Sequence, residues 1–179
     1  MNFRKLSAVG LLCVLLASCS SIDITTDYDP ARDFSSYKTY RWAKGKERNP
    51  RNTLTRNTLL NKRVQFAVDN SLQSKGFEKL EKGQPDFIVI VYAGMTEKMQ
   101  VYHQGGWYGG WWGPSGGYTS VSHYTEGTLV VDIVDRAEKE LSWRGMATGV
   151  VRSQSDPLAV QEDIQYAIEE ILYEFPPRR

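Results

Sequence analysis

Two helical stripes flank the strand-forming middle of this chain, and they constrain its fold more than any other feature. Within a predicted helix from Thr53 to Lys75, Leu60, Val64, Ala67, Val68, Ser71 and Leu72 recur at i, i+4, i+7, i+8, the spacing of one buried helix face. Asn61, Lys62, Arg63, Gln65 and Asp69 fall on the wetter side. Near the other end, Val160, Ile164, Ala167, Ile168, Ile171 and Leu172 repeat the stripe. Each stripe must be covered, and one sheet face can cover both.

The middle supplies that sheet. Phe87-Ile88-Val89-Ile90-Val91-Tyr92 is apolar on both faces, which predicts a central strand covered by helices on at least one side. Met95 to Tyr102 extends it with weaker alternation. From Glu126 to Asp135, Leu129, Val131 and Ile133 share one face, and Thr128, Val130, Asp132 and Val134 the other. Arg136 to Lys139 is a polar turn. Leu141, Trp143, Gly145 and Ala147 then alternate with Ser142, Arg144, Met146 and Thr148, the pattern of a returning hairpin strand. Without an Asn-Gly pair, the loop should have about four or five residues.

Upstream, Ile22, Ile24 and Tyr28 mark a first strand, interrupted on that face by Thr26. Tyr40 and Trp42 oppose Arg41 in a short strand that starts near Lys38. Ala43 to Asn52 is polar, with Gly45 and Pro50, and reads as a mobile loop. Gly76 suits the left-handed position after the first helix. Asp156-Pro157 opens the last helix with a cap and a first-turn proline, and Pro176-Pro177 stops it. The expectation is an α+β two-layer sandwich: an antiparallel-rich sheet with two amphipathic helices packed on one face.

The N-terminus carries different information. Arg4 and Lys5 precede an apolar run from Leu6 to Leu16, and Ala17 and Ser18 are small. These are the parts of a secretion signal. The run falls short of the ~20 residues of a membrane span. Leu16-Ala17-Ser18-Cys19 resembles the bacterial lipobox. That resemblance implies acylation of Cys19, cleavage before it, and anchorage to a membrane. Residues 1–18 are then a signal peptide and 19–179 a single periplasmic domain. Ser20, where an Asp would retain a lipoprotein at the inner membrane, implies the outer membrane of a Gram-negative cell, on its periplasmic side.

The mature chain of about 160 residues is enough for one domain with its own core. Of the two cysteines, Cys13 leaves with the signal and Cys19 takes lipid. No disulfide remains, although the compartment would permit one. Packing must hold the domain, and 12% aromatic residues help to build its core. The formal charge of +1 offers no basic field for nucleic acid.

Several pieces, spread over nearly all of the mature chain, match a known family. They are Asp27-Tyr28-Asp29, Phe34, Tyr37-Lys38-Thr39-Tyr40-Arg41-Trp42, Lys75-Gly76-Phe77, Pro85-Asp86-Phe87, Glu126-Gly127-Thr128-Leu129-Val130-Val131-Asp132, Leu141-Ser142-Trp143-Arg144-Gly145 and a final helix ending in Phe175-Pro176-Pro177. In these the chain resembles the domain-of-unknown-function 4136 lipoproteins of Gram-negative bacteria. The resemblance implies an envelope location and a single domain, and brings no established activity.

Chemistry is sparse. Hydrolysis needs a nucleophile with a base, or paired carboxylates, and no catalytic set stands out. An alternative is an enzyme acting on cell-wall or lipid substrates, with Asp132, Glu126 or His123 as acid or base. His103 and His123 flank Gly113 at equal distance and would face each other across a hairpin. Two imidazoles without a third ligand make a weak metal site, so neither metal nor cofactor is expected, and exposed strand-end histidines are the simpler reading. Asp132 and Arg144 lie where a structural ion pair can form. Asp27 and Asp29 beside Pro30 suit a turn.

The segment from Gly105 to Tyr118 asks for a partner. It holds Trp107, Tyr108, Trp111, Trp112 and Tyr118 and no charged residue. It reads as an irregular glycine-rich loop. Its rings either fold back on the domain or meet something outside: another envelope protein, a second copy, a lipid headgroup layer, or a glycan. The expected function is a non-enzymatic envelope binding or assembly module with this loop as its contact surface.

Overall fold

A six-stranded sheet forms the frame of the computed structural model, which describes residues 22–43, 53–104, 118–151 and 156–177. The signal peptide, Cys19 and the polar loop beyond Ala43 lie outside the described residues. In chain order the elements are β1 (Ile22–Tyr28), β2 (Thr39–Trp42), α1 (Thr58–Ser74), β3 (Glu78–Lys79), β4 (Phe87–Gln104), β5 (Tyr118–Asp135), β6 (Leu141–Val150) and α2 (Pro157–Leu172). The sheet order is β1-β6-β5-β4-β2-β3.

This is an α+β fold with a mixed sheet, which corrects part of the expectation. The pairs β1/β6, β6/β5 and β5/β4 are antiparallel, whereas β2 runs parallel to both β4 and β3. The reason is connectivity. α1 lies between β2 and the strands that flank it, so the chain crosses over and returns in the same direction. The β5–β6 hairpin matches its sequence pattern, with Arg136 to Glu140 between the strands. Lys139 takes φ 60° in that turn.

The register sorts the side chains. Val91 opposes Val131, and Val89 opposes Ile133. Ile133 and Leu129 in turn oppose Trp143 and Ala147. These residues form one face, and the buried stripes of α1 (Val64, Ala67, Val68, Leu72) and α2 (Ile168, Ile171, Leu172) join the same core cluster. Phe34, Tyr37, Tyr40, Phe77, Phe87 and Phe175 close one end of it through edge-on, tilted and stacked ring contacts.

Local chemistry sets the helix ends. α1 starts at Thr58, not Thr53, because the Asn57 side chain caps it, accepting from the Leu60 amide at 3.0 Å. Thr53–Thr55 is a separate 3-10 turn. Gly76 follows α1 with φ +90°, the conformation a helix-ending glycine supplies. Asp156 caps α2 through the Leu158 amide at 2.9 Å, with Pro157 in the first turn.

Asp69 departs from its expected place on the wet side of α1. Its Oδ1 accepts from the Tyr40 hydroxyl at 2.7 Å and the Trp42 indole at 3.0 Å, and its Oδ2 meets Lys79 Nζ at 3.0 Å. One carboxylate thus ties α1 to β2 and β3. Thr26, which interrupts the apolar face of β1, donates to Glu174 just past α2 at 2.8 Å.

Candidate interaction site

β4 and β5 are far longer than the core requires. β2 leaves β4 at Val89, and β6 leaves β5 after the Val151 amide meets the Thr125 carbonyl at 2.8 Å. Beyond that point Lys98 to Gln104 pairs with Tyr118 to Tyr124. This two-stranded arm runs seven residues per strand, about 24 Å. Sequence alternation beyond Tyr92 is weak, which is why the full length of the arm was not apparent.

The arm has two unlike faces. Met95, Met99, Val101 and Val121 continue the core side of the sheet past the helices, and all four are exposed. The opposite face carries Lys98, Gln100, Ser122, Tyr124 and Glu126. There Lys98 Nζ lies 2.6 Å from Glu126 Oε1, and that contact raises the lysine's pKa.

Trp107, Tyr108, Trp111 and Trp112 lie outside the described residues, between the two strands of the arm. Tyr118 was expected in the irregular loop and is instead the first residue of β5, because the ladder reaches outward as far as the Gln104–Tyr118 pair.

β1 begins at the same end as the arm. Ile22 opposes Gly149, and Gly149 opposes Gly127. Beneath this end, between the sheet and the first turns of both helices, is a cavity of about 560 Å³. Ile22, Leu60, Leu129, Val150, Val160 and Ile164 are among its lining residues. Its ionisable lining groups are Asp163 and Tyr166, and it has no basic residue among those described. The sequence pattern counted Leu60, Val160 and Ile164 as core. They sit one or two turns beyond the residues that the sheet covers fully.

The candidate catalytic groups are not gathered. Glu126 and Asp132 share a face of β5 but are six residues apart, about 20 Å. His123 occupies the opposite face and is exposed. His103 pairs with Thr119, four residues along β5 from His123, so the two histidines are not cross-strand partners and their backbone positions are offset by about 13 Å. The equal spacing about Gly113 misled because the strands are not paired symmetrically about that residue.

Polar groups converge instead at the far end of the sheet, where composition gave no signal. Asp135 accepts from the Tyr37 hydroxyl and the Glu138 amide at 2.9 Å each, with Arg32 Nη1 at 3.5 Å. Burial alone would raise its pKa; the Glu138 amide, the Tyr37 hydroxyl and Arg32 outweigh that and hold it below the usual carboxylate range. Burial pushes the Tyr37 phenol up to about 12, with Asp135 adding to the shift and Ser142 opposing it. Nearby, Asp86 Oδ2 accepts from the Lys38 and Thr39 amides at 2.9 and 2.8 Å and from the Thr39 hydroxyl at 2.9 Å. These hydrogen bonds tie the chain around β2 to the ends of β4 and β5.

No curated protein matches the sequence. Among solved structures, a PDZ domain protein from Parabacteroides distasonis is similar at TM-score 0.56 and 12% identity, over 87% of this chain and 36% of that one. The chain therefore spans about a third of that relative. A methionine-substituted PelC dodecamer from Paraburkholderia phytofirmans is similar at TM-score 0.52 and 10% identity, over 88% of this chain and 99% of that one. At such identities the likeness is one of fold. The family model described as a domain of unknown function, DUF4136, matches residues 24–177, and this chain belongs to that family.

Proposed function

We propose that this protein is a lipid-anchored envelope lipoprotein. Its site is the periplasmic side of the outer membrane, and its role is that of a non-enzymatic binding or assembly module. The aromatic segment at the end of the arm, with Trp107, Tyr108, Trp111 and Trp112, is its contact surface.

One observation carries this reading. Ile22 starts β1 beside the base of the arm, and β1 runs from there away from the arm. Cys19 is three residues away, within about 11 Å of Ile22. A tether at Cys19 and a contact surface about 24 Å along the arm would then leave the body at one end. Met99, Val101 and Val121, exposed beside His123 on one face of the arm, support a role in contact. No described helix is long and apolar enough to cross a membrane, so the proposed attachment rests on the acylated cysteine. The enzyme alternative has less support, because Glu126, Asp132 and His123 are dispersed.

Two variants test the reading. Cys19→Ala should leave the membrane fraction and lose palmitate label; retention of both would overturn the anchor. Deleting residues 105–117 should remove crosslinked partners from native envelopes. An unchanged set would overturn the contact surface.

A further inference from the structure

We propose that the cavity under the base of the arm is a binding site for one acyl chain of the protein's own Cys19 anchor. This rests on the anchor reading above and adds a site to it.

Three observations select that occupant. The first is chemical. Leu60, Leu129, Val150, Val160 and Ile164 give the lining an aliphatic character, and about 560 Å³ lies within the ~300–1,000 Å³ of small-ligand sites. The second is the missing cation. A free fatty acid or a phospholipid brings an anionic head, and no Lys, Arg or His among the described residues lines the cavity to meet one. A chain ester-linked through a glyceryl thioether brings no charge.

The third observation is reach. Ile22 itself lines the cavity, and Cys19 is three residues upstream, about 11 Å of chain at most. So short a link holds the acyl chain near the cavity at millimolar effective concentration, which unlinked lipids must match by mass action. The cavity would shelter one chain whenever the anchor is out of a bilayer, and release it on insertion.

The test uses the full protein in its own cells. Palmitate with a terminal diazirine is fed, the processed protein is released from envelopes in mild detergent, the sample is irradiated, and crosslinked peptides are mapped. The expected adducts lie on the peptides holding Leu60 to Val64, Leu129, and Val160 to Ile164. They should exceed those in a co-expressed Cys19→Ala protein by about tenfold or more. Equal adducts in Cys19→Ala would assign the cavity to other lipids and overturn the proposal. Label on Cys19 with no cavity adducts would overturn it while leaving the anchor standing. A processed protein without label would overturn the anchor and this inference together. Ala167→Phe, which fills the cavity, should lower the adducts while label on Cys19 persists; undiminished adducts there would also count against the site.

Discussion

Asp132 and Arg144 face each other across β5 and β6, joined by two parallel hydrogen bonds of 2.6 Å, Nε to Oδ1 and Nη2 to Oδ2. The Asp132 side chain is 6% exposed and the Arg144 side chain 48%. The arginine therefore covers a buried negative charge on the sheet face away from the helices. Asp132 in turn raises the arginine's pKa, with a smaller contribution from Asp27 on β1.

That asymmetry predicts unequal single variants. Arg144→Ala leaves a buried carboxylate without its partner and should cost about 2 kcal/mol, discounted for the arginine's exposure. Asp132→Asn leaves no charge stranded and should cost less. Combined with Arg144→Ala, it should recover part of the loss. Urea unfolding of the four proteins measures this; equal costs for the two single variants would contradict the argument.

Gly145 is close-packed. A Cβ there would overlap the Trp143 ring and approach Ile171 Cγ2 at 2.6 Å. Gly145→Ala should therefore destabilise by about 1–3 kcal/mol through overpacking, although alanine suits a strand better than glycine does. Thermal unfolding checks it, and a gain in stability would show that α2 can shift away.

Asp69 carries a third prediction. Asp69→Ala strands the Tyr40 hydroxyl and the Trp42 indole, and should cost about 2–3 kcal/mol. Asp69→Asn keeps an acceptor for Tyr40 and Trp42 and should cost less. Equal losses in chemical denaturation would mean that the charge facing Lys79, not the two hydrogen bonds, is what matters.

Asp69 also shows where the sequence ran out. The helical stripe placed it on the wet face of α1, because the period reports which residues the main sheet covers. It does not report that β2 lies at the edge of that cover, where two aromatic donors reach round to one carboxylate. The parallel placement of β2 was hidden for a related reason: pairing direction depends on the α1 crossover, and no residue in β2 records it. Strand and helix identities were legible because alternation and the i, i+4 stripe are local. The two-faced arm was only half legible, since Met95, Met99 and Val101 alternate with polar residues while the paired strand from Tyr118 to Thr125 is mostly polar. The cavity was not legible at all. Leu60, Val160 and Ile164 look like core in the stripe, and only the lengths of the helices relative to the sheet leave them around a void.

Acid should weaken the end of the sheet opposite the arm. The Asp86 and Asp135 carboxyls lie below their ordinary values because, despite burial, their amide, hydroxyl and Arg32 partners favour the charged form. Groups depressed in the folded state stabilise it above the unfolded carboxylate pKa, about 3.9. That stability is lost as pH falls through the lower folded values. Urea midpoints should therefore hold steady from neutral pH to about 4 and fall below it. Asp86→Asn should lower the neutral plateau and flatten the acid limb; an unchanged limb would remove Asp86 from the account.

The arm separates folding from contact most cleanly. Met99 and Val101 are 62% and 44% exposed, on a two-stranded segment that no helix covers among the described residues. Replacing both by lysine should change stability by only about 0.5 kcal/mol, since neither is in the core. If the arm's apolar face works with the aromatic segment beyond it, the same protein should lose its crosslinked envelope partners. Melting curves and crosslinked pull-downs of one preparation give both readings. Partners retained at full yield would confine the contact to residues 105–117, and a large fall in melting temperature would mean that this face packs within the domain.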